Sequence, residues 1–421
     1  MEVSKFGVHS SKFIVQSSRY RFRFYDLIMK KNIWSLAAAL FSFAMQSAAQ
    51  NNIAPSTKIY RVAVFAPMYL DSVFTNSGLN ASGSIPKFIM AGVEFIQGAR
   101  IALDTLSLNG KHAEAYMYDS KSVTQPISWL IKYRKLDSID LIIGSVKDSD
   151  YRELAAFALQ KNIPFVSATY PNDGGIIGNP FLLIANSTLK SNCEGIFSYL
   201  LQKHGTDRIY IIKRKGDDRI ENYIKNINNA EGKPLLNIKT IMTDSSISSY
   251  SLWNRIDTTR PAVIIGASLD EGFARGLADA CYPIQKKHTL ILIGMPNWDN
   301  FKSLTKTDRY KDFPIRYTTP HYDAGNIFFD SLLIQKYFQL YKAKPTDMAY
   351  KGFEMTYYFT NILLKYPSDF MLHISDTIFN VFHDFNFRPV FIDKRNKVPD
   401  YFENKHLFIM QILNGEILRE W

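Results

Sequence analysis

LIIGSVKDSDYRELAAFALQKNIPFVSATY, residues 141–170, reads as one strand–helix–strand unit. Leu141-Ile142-Ile143 is a short apolar run of the kind that forms a strand buried on both faces, and it exits through Gly144-Ser145. Tyr151 to Gln160 reads as a helix, with Asp150 and Glu153 spaced as a capping box at its start. Ile163-Pro164-Phe165-Val166-Ser167 is the next strand. Two buried strands joined by a helical crossover lie parallel, because a tight turn joins only antiparallel ones.

The same alternation extends outward in both directions. Upstream, Arg61–Ala66 is a β-rich run ended by Pro67, and Val93, Ile96, Ala99, Leu103 and Leu106 recur at helical spacing before Asn109-Gly110. Ala113–Tyr118 is a strand and Pro126–Leu136 a helix. Downstream of a Gly/Pro/Asn-rich loop, strands are expected at Phe181–Ile184, Arg208–Ile212, Ile238–Met242, Ala262–Ile265 and Leu290–Ile293. Helices are expected near Leu189–Lys203, Arg219–Asn229, Tyr250–Ile256 and Gly272–Ala280. About ten strands in this series exceed one compact parallel sheet with helices on both faces, so two lobes are expected. The last hundred residues break the alternation. They give a strand at Ile315–Thr319, helices at Ile327–Tyr341, Met348–Tyr366 and Ser375–Phe382, then strands at Pro389–Ile392 and Leu407–Leu413, with Asn414-Gly415 as a hairpin turn.

The N-terminal 49 residues read as targeting rather than fold. Met29-Lys30-Lys31 is a short basic start, Ile33–Met45 an apolar run, and Ser47-Ala48-Ala49 a small-residue exit, in the order of a signal peptide. The apolar run is shorter than the roughly 20 residues that span a bilayer. Met29 is therefore expected to be the start, with residues 1–28 an upstream extension. Residues 1–49 carry 7 of the 50 Lys/Arg and 2 of the 39 acids, so the remaining excess of positive charge is mild and spread out. Nucleic-acid binding is not indicated. No later run is long and apolar enough for a span, and no cysteine ends the apolar run, so neither a stable membrane anchor nor a lipid anchor is expected. Cys193 and Cys281 are the only cysteines, and the sequence leaves open whether they pair or stay as buried thiols.

Catalytic signatures are missing. There is no phosphate-binding G-x-x-x-x-G-K-[ST] and no H-E-x-x-H, and the eight histidines lack metal-ligand spacing. Gly266-Ala267-Ser268-Leu269-Asp270 lacks the second glycine of a nucleophile elbow. An enzyme, a cofactor and a metal are therefore not expected.

Several segments, in order, carry a family resemblance: Val62–Pro67, Gly92–Ala102, Ile142-Ile143-Gly144-Ser145, Ile163–Thr169 and Tyr317-Thr318-Thr319-Pro320. Together they resemble the type I periplasmic solute-binding proteins, nearest the branch that serves branched-chain amino-acid ABC transporters, and the likeness spans residues 58–421. The resemblance implies an α/β fold of two open, mostly parallel sheets flanked by helices and joined by three crossovers, near residues 184–188, 317–322 and 368–378. Lobe 1 would comprise 58–186 plus 320–372, and lobe 2 would comprise 187–319 plus 373–421. A small-molecule ligand would be trapped between them and passed to an inner-membrane ABC permease, in the periplasm. Ser145 and Thr169 match positions that hold a ligand carboxylate, with Ser167, Ala168 and Tyr170 beside them. Asp270 falls near the acid that receives a ligand ammonium, and Trp298 would shield the ligand. Asp217 and Asp218 depart from the aromatic residue common there, and Thr169 stands one place early. The acids at 217 and 218, together with Lys147 where many relatives have small polar residues, bear on which ligand fits. Ser145, Thr169 and Asp270 also suit helix starts, where they act as ordinary caps. The other reading of the same fold is an envelope scaffold that contacts proteins without transport.

Cleavage after Ala49 would leave Gln50 as the first residue of the exported protein. N-terminal sequencing of protein recovered from the native envelope checks this; retention of residues 1–28 would overturn both the start site and export.

Overall fold

The computed structural model describes residues 58–75, 78–79, 86–243, 247–305, 308–321 and 326–421. The expected signal segment, 1–49, lies outside the described residues. The first sheet contains β1 (Arg61–Ala66), β2 (Glu114–Asp119), β3 (Leu141–Gly144), β4 (Phe165–Ser167) and β5 (Leu182–Ile184). The second contains β6 (Arg208–Arg214), β7 (Ile238–Thr243), β8 (Ala262–Gly266), β9 (Leu290–Ile293) and β10 (Ile315–Thr319). The C-terminal strands divide between the sheets: β11 (Phe387–Val390) and β12 (Tyr401–Asn404) join the first, β13 (Phe408–Leu413) and β14 (Glu416–Arg419) the second. The orders are β11-β12-β5-β4-β3-β1-β2 and β14-β13-β10-β9-β8-β6-β7, seven strands each. Both sheets are parallel except at β11, β13 and β14.

The period-2 geometry of a strand explains how one sheet covers two cores. Val62, Val64 and Ala66 face α1 (Lys87–Leu108), whereas Ala63 and Phe65 face α2 (Asp148–Lys161) on the other side. The second lobe is built around the apolar faces of α3 (Leu189–Lys203), α4 (Arg219–Asn228) and α5 (Glu271–Gln285). Cys193 and Cys281 are both buried, free thiols, and burial pushes the Cys193 thiol up to about 12. The hairpin turn is as read: Asn414 and Gly415 have φ of 52° and 82°, both positive as a type I′ turn requires.

The chain leaves the first lobe after β5, returns after β10 through α6 (Ile327–Tyr341) and α7 (Asp347–Lys365), and leaves again after β12. The first two crossings fall where the sequence places them. The third does not: it spans residues 405–407, because β12 pairs with β5 and holds 387–404 in the first lobe, not the second. The strand escaped sequence reading because Tyr401-Phe402-Glu403-Asn404 buries polar residues and shows no apolar run. The helix expected at Ser375–Phe382 is a single 3₁₀ turn, Thr377–Phe379; the amides of Phe382 and His383 donate instead to Glu354 on α7, at 3.1 and 2.8 Å. The capping box at Asp150 is also absent. α2 starts three residues earlier than expected, at Asp148, and Asp150 pairs with Lys121 at 2.8 Å.

α1 and α7 run at backbone contact. A Cβ on Gly98 would lie 1.9 Å from the Ala349 carbonyl oxygen, and one on Gly352 would lie 1.9 Å from that of Phe95. Backbone cannot rotate out of the way, so Gly352→Ala should destabilise by about 1–3 kcal/mol despite the better helix propensity of alanine. Gly276→Ala on α5, where a Cβ meets nothing within 4 Å, should be neutral or stabilising by up to about 1 kcal/mol. Urea denaturation of both variants checks the contrast.

Candidate functional site

In an open parallel sheet, neighbouring strands whose connections run to opposite faces leave a crevice at their carboxyl ends. β1 lies between β2 and β3, and β6 lies between β7 and β8, so each lobe has one such switch point. All three interlobe crossings leave from the carboxyl ends of β5, β10 and β12. The two crevices therefore border the same space between the lobes.

In the first lobe, Ser145 stands just past β3 and Thr169 just past β4. Their hydroxyls are 3.1 Å apart, and Asn186 on the first crossing donates to the Thr169 carbonyl at 2.9 Å. The structure thus brings these two expected residues together. The backbone N–H groups of Ser145 and Ala168 are spent on the sheet, donating to Phe65 and Gly144 carbonyls at 2.8 and 2.9 Å, so they are not free to donate to an anion. The turn after β1 would be another anion cradle, but the Asp119 carboxylate fills it. It accepts from the amides of Met68, Tyr69, Leu70 and Lys121 at 2.7–3.1 Å. Ser167 is fully buried within β4, its hydroxyl without a partner among the described residues. Ala168 is equally buried, and Tyr170 packs edge-on against Tyr151 at 5.1 Å on the lobe's own core.

In the second lobe, Asp217 sits in the turn after β6, behind Gly216 at φ 86°. Asp218 contacts Lys213, and Lys213 also pairs with Glu221 at 2.5 Å. Burial pushes the Glu221 carboxyl up, but Lys213, Lys225 and Thr240 together draw it down to about 2. Asp270 caps α5, accepting the Phe273 amide at 2.7 Å, and pairs with Arg214 at 2.7 Å. Trp298 does not wall the cleft. It is fully buried over Gly266 and Gly294, where a Cβ would lie 2.5 and 2.1 Å from the indole, and its Nε1 donates to the Ser268 carbonyl at 3.0 Å. An indole needs a glycine floor to lie this close to two strands, and both strands supply one.

Comparison with solved structures matches this architecture. A protein from Rhodospirillum rubrum, assigned as a branched-chain amino acid ABC transporter, aligns over 86% of this chain and 100% of its own, with a TM-score of 0.59 at 12% identity. The branched chain amino acid ABC transporter periplasmic ligand-binding protein of Burkholderia xenovorans LB400 aligns over 85% and 91%, with 0.56 at 12%. An ABC transporter substrate-binding protein of Desulfitobacterium hafniense, in complex with Leu, aligns over 86% and 100%, with 0.52 at 11%. The chain has the type I periplasmic-binding-protein fold. No family model matches it, and no curated protein does.

The crossings of this periplasmic-binding fold are tied by buried polar groups. Glu403, 1% exposed, accepts the Thr188 amide at 2.7 Å and Lys405 Nζ at 3.0 Å; Ser187 donates to the Asn404 carbonyl at 2.6 Å. Lys405 also reaches Glu194 at 2.9 Å, which links the first and third crossings to α3. The second crossing carries His321, whose two ring nitrogens are buried without partners among the described residues and whose ring meets that of His383 at 5.2 Å. Burial, then the charges of Lys351 and His383, hold His321 well below the usual histidine range, so it is neutral. His383 in turn bonds the buried Glu354 at 2.6 Å. Sequence reading missed Arg214, His321, Lys351 and Asp299, since none of them stands in a motif that marks a site. Arg214 alone had a signal, as the last residue of a strand before a glycine turn.

Asp299 follows β9 in the second lobe, and Lys351 lies on α7 in the first; their charges interact across the lobes. Burial raises the Asp299 carboxyl to about 6, above the usual carboxylate range, by more than the Asn300 amide and the charge of Lys351 lower it. Folding therefore takes up a proton between about pH 4 and 6, and stability is lost as pH rises through that window. Asp299→Asn should match the parent near pH 4 and melt higher above pH 7. Thermal unfolding across pH checks this; a gain independent of pH would rule out the titration.

Proposed function

We propose that this chain is an exported solute-binding protein, not an enzyme, that traps a small polar ligand bearing a carboxylate between its lobes and delivers it to an inner-membrane ABC permease. The observation that carries the reading is the Ser145–Thr169 hydroxyl pair, 3.1 Å apart at the first lobe's switch point and facing the crevice shared with the second. Two adjacent hydroxyls can turn their protons toward one acceptor, and closure strengthens such bonds as water leaves. Support comes from the D. hafniense structure of the same fold, which is a substrate-binding protein in complex with Leu. Among the described residues no helix is long and apolar enough to cross a membrane, and no group of three or more His, Cys, Asp or Glu is arranged to hold a metal. Three chain crossings between two separately cored lobes suit hinge closure around a solute.

A screen of amino acids, short peptides and organic acids by thermal stabilisation identifies the solute; saturation at a hundred times Kd adds about 2.7 kcal/mol. Thr169→Ala and Ser145→Ala should then each weaken binding by about tenfold to a hundredfold in calorimetry, the loss expected for a hydrogen bond to a charged group. Binding within twofold of the parent for both variants would move the site elsewhere. A screen that finds no solute would favour an envelope scaffold built on the same fold.

A further inference from the structure

The rim of the second lobe carries a residue pair that bears on which solute the cleft accepts. Arg214 is the last residue of β6 and Asp270 follows β8, so the two face each other across that lobe's switch point. Arg214 Nη2 donates to Asp270 Oδ1 at 2.7 Å, and the same oxygen accepts the Phe273 amide at 2.7 Å. The guanidinium lies over the Phe273 ring, 5.5 Å from its centre. The loop that carries Asp270 is fastened from beneath: Trp298 Nε1 donates to the Ser268 carbonyl at 3.0 Å and Asn297 Nδ2 to that of Leu269 at 2.8 Å. Asp270 therefore has little freedom to swing away from Arg214. The amide of Phe273, and after it Arg214, hold its carboxyl below the usual range, so it is ionised and paired at neutral pH.

An unpaired carboxylate at the wall of a closing cleft attracts an ammonium group, because a charge-assisted hydrogen bond gains strength as water leaves. With a guanidinium already on that carboxylate, an incoming ammonium meets a neutral pair and a like charge at close range. We infer that Arg214 sets the solute class of the cleft: by standing on Asp270 it removes the acid that would bind an ammonium, so the cleft accepts carboxylates that lack an amino group and discriminates against zwitterionic amino acids. The inference rests on the cleft reading above and narrows its ligand from carboxylates in general to non-zwitterionic ones. Arg214 acts as a specificity residue through its hold on Asp270, and both side chains remain partly exposed, at 36% and 50%. Their replacement should accordingly leave the core intact.

Leucine and 4-methylpentanoate share a carbon skeleton and differ in the amino group alone, which makes them the probes. Calorimetry and thermal shift at up to millimolar concentration compare them on the parent, Arg214→Ala and the double variant Arg214→Ala/Asp270→Asn. The parent should prefer 4-methylpentanoate. Arg214→Ala should shift the ratio toward leucine by about tenfold or more, the scale of one charge-assisted bond. The double variant should lose that shift, a response that general loosening of the lobe would not produce. The inference is overturned if the parent binds leucine as tightly as its des-amino analogue, if Arg214→Ala leaves the ratio within twofold, or if neither acid registers on any of the three proteins. The broader cleft reading is judged separately, by whether any solute in the screen binds and whether Ser145→Ala and Thr169→Ala weaken it.

Discussion

The contact between α1 and α7 is the constraint on which the first lobe rests. α7 arrives only after the chain has built most of the second lobe, yet it supplies Met355, Tyr358, Phe359 and Ile362 to the core under the first sheet. It can reach that depth because Gly98 and Gly352 let two helix backbones touch. A side chain at either position would lift the helix away from the sheet and open voids that a close-packed interior does not tolerate. The first lobe is therefore discontinuous in sequence and cannot complete its core until the chain returns.

Repeated passage between lobes concentrates polar backbone and side chains at the crossings, and these must find partners because they are buried. Glu403, Asn404, Thr188 and Ser187 satisfy one another there, and Lys405 keeps its charge because Glu403 and Glu194 outweigh the penalty of burial. His321 at the second crossing stands in contrast, neutral and unpartnered among the described residues. The first and third crossings are thus knotted by ion pairs, whereas the second is packed by rings.

The crevices gain their chemistry from strand order. Because the strand order reverses at β1 and β6, each flanked by the next two strands of its own lobe, their carboxyl ends open between helices on opposite faces. Ser145 and Thr169 meet at one crevice although 24 residues separate them; Arg214 and Asp270 meet at the other across 56. Asp119 illustrates the opposite outcome, a backbone cradle suited to an anion that the chain closes with its own carboxylate.

Periodicity along the chain determined the repeating strand–helix units, their parallel sense and the need for two lobes, since buried apolar runs and helical spacing are local properties. The strand exits that hold Ser145, Thr169 and Asp270 were legible for the same reason. The tertiary structure alone decided the rest. Which lobe claims Tyr401–Asn404 depends on pairing with β5, more than 200 residues away in the chain, and a strand of polar buried residues has no local signature. Whether Trp298 faces ligand or core depends on two glycines on neighbouring strands, and whether Asp270 is open or paired depends on Arg214 at the end of another. Burial and partnership are relations between distant segments, so they are set when the sheets assemble and not before.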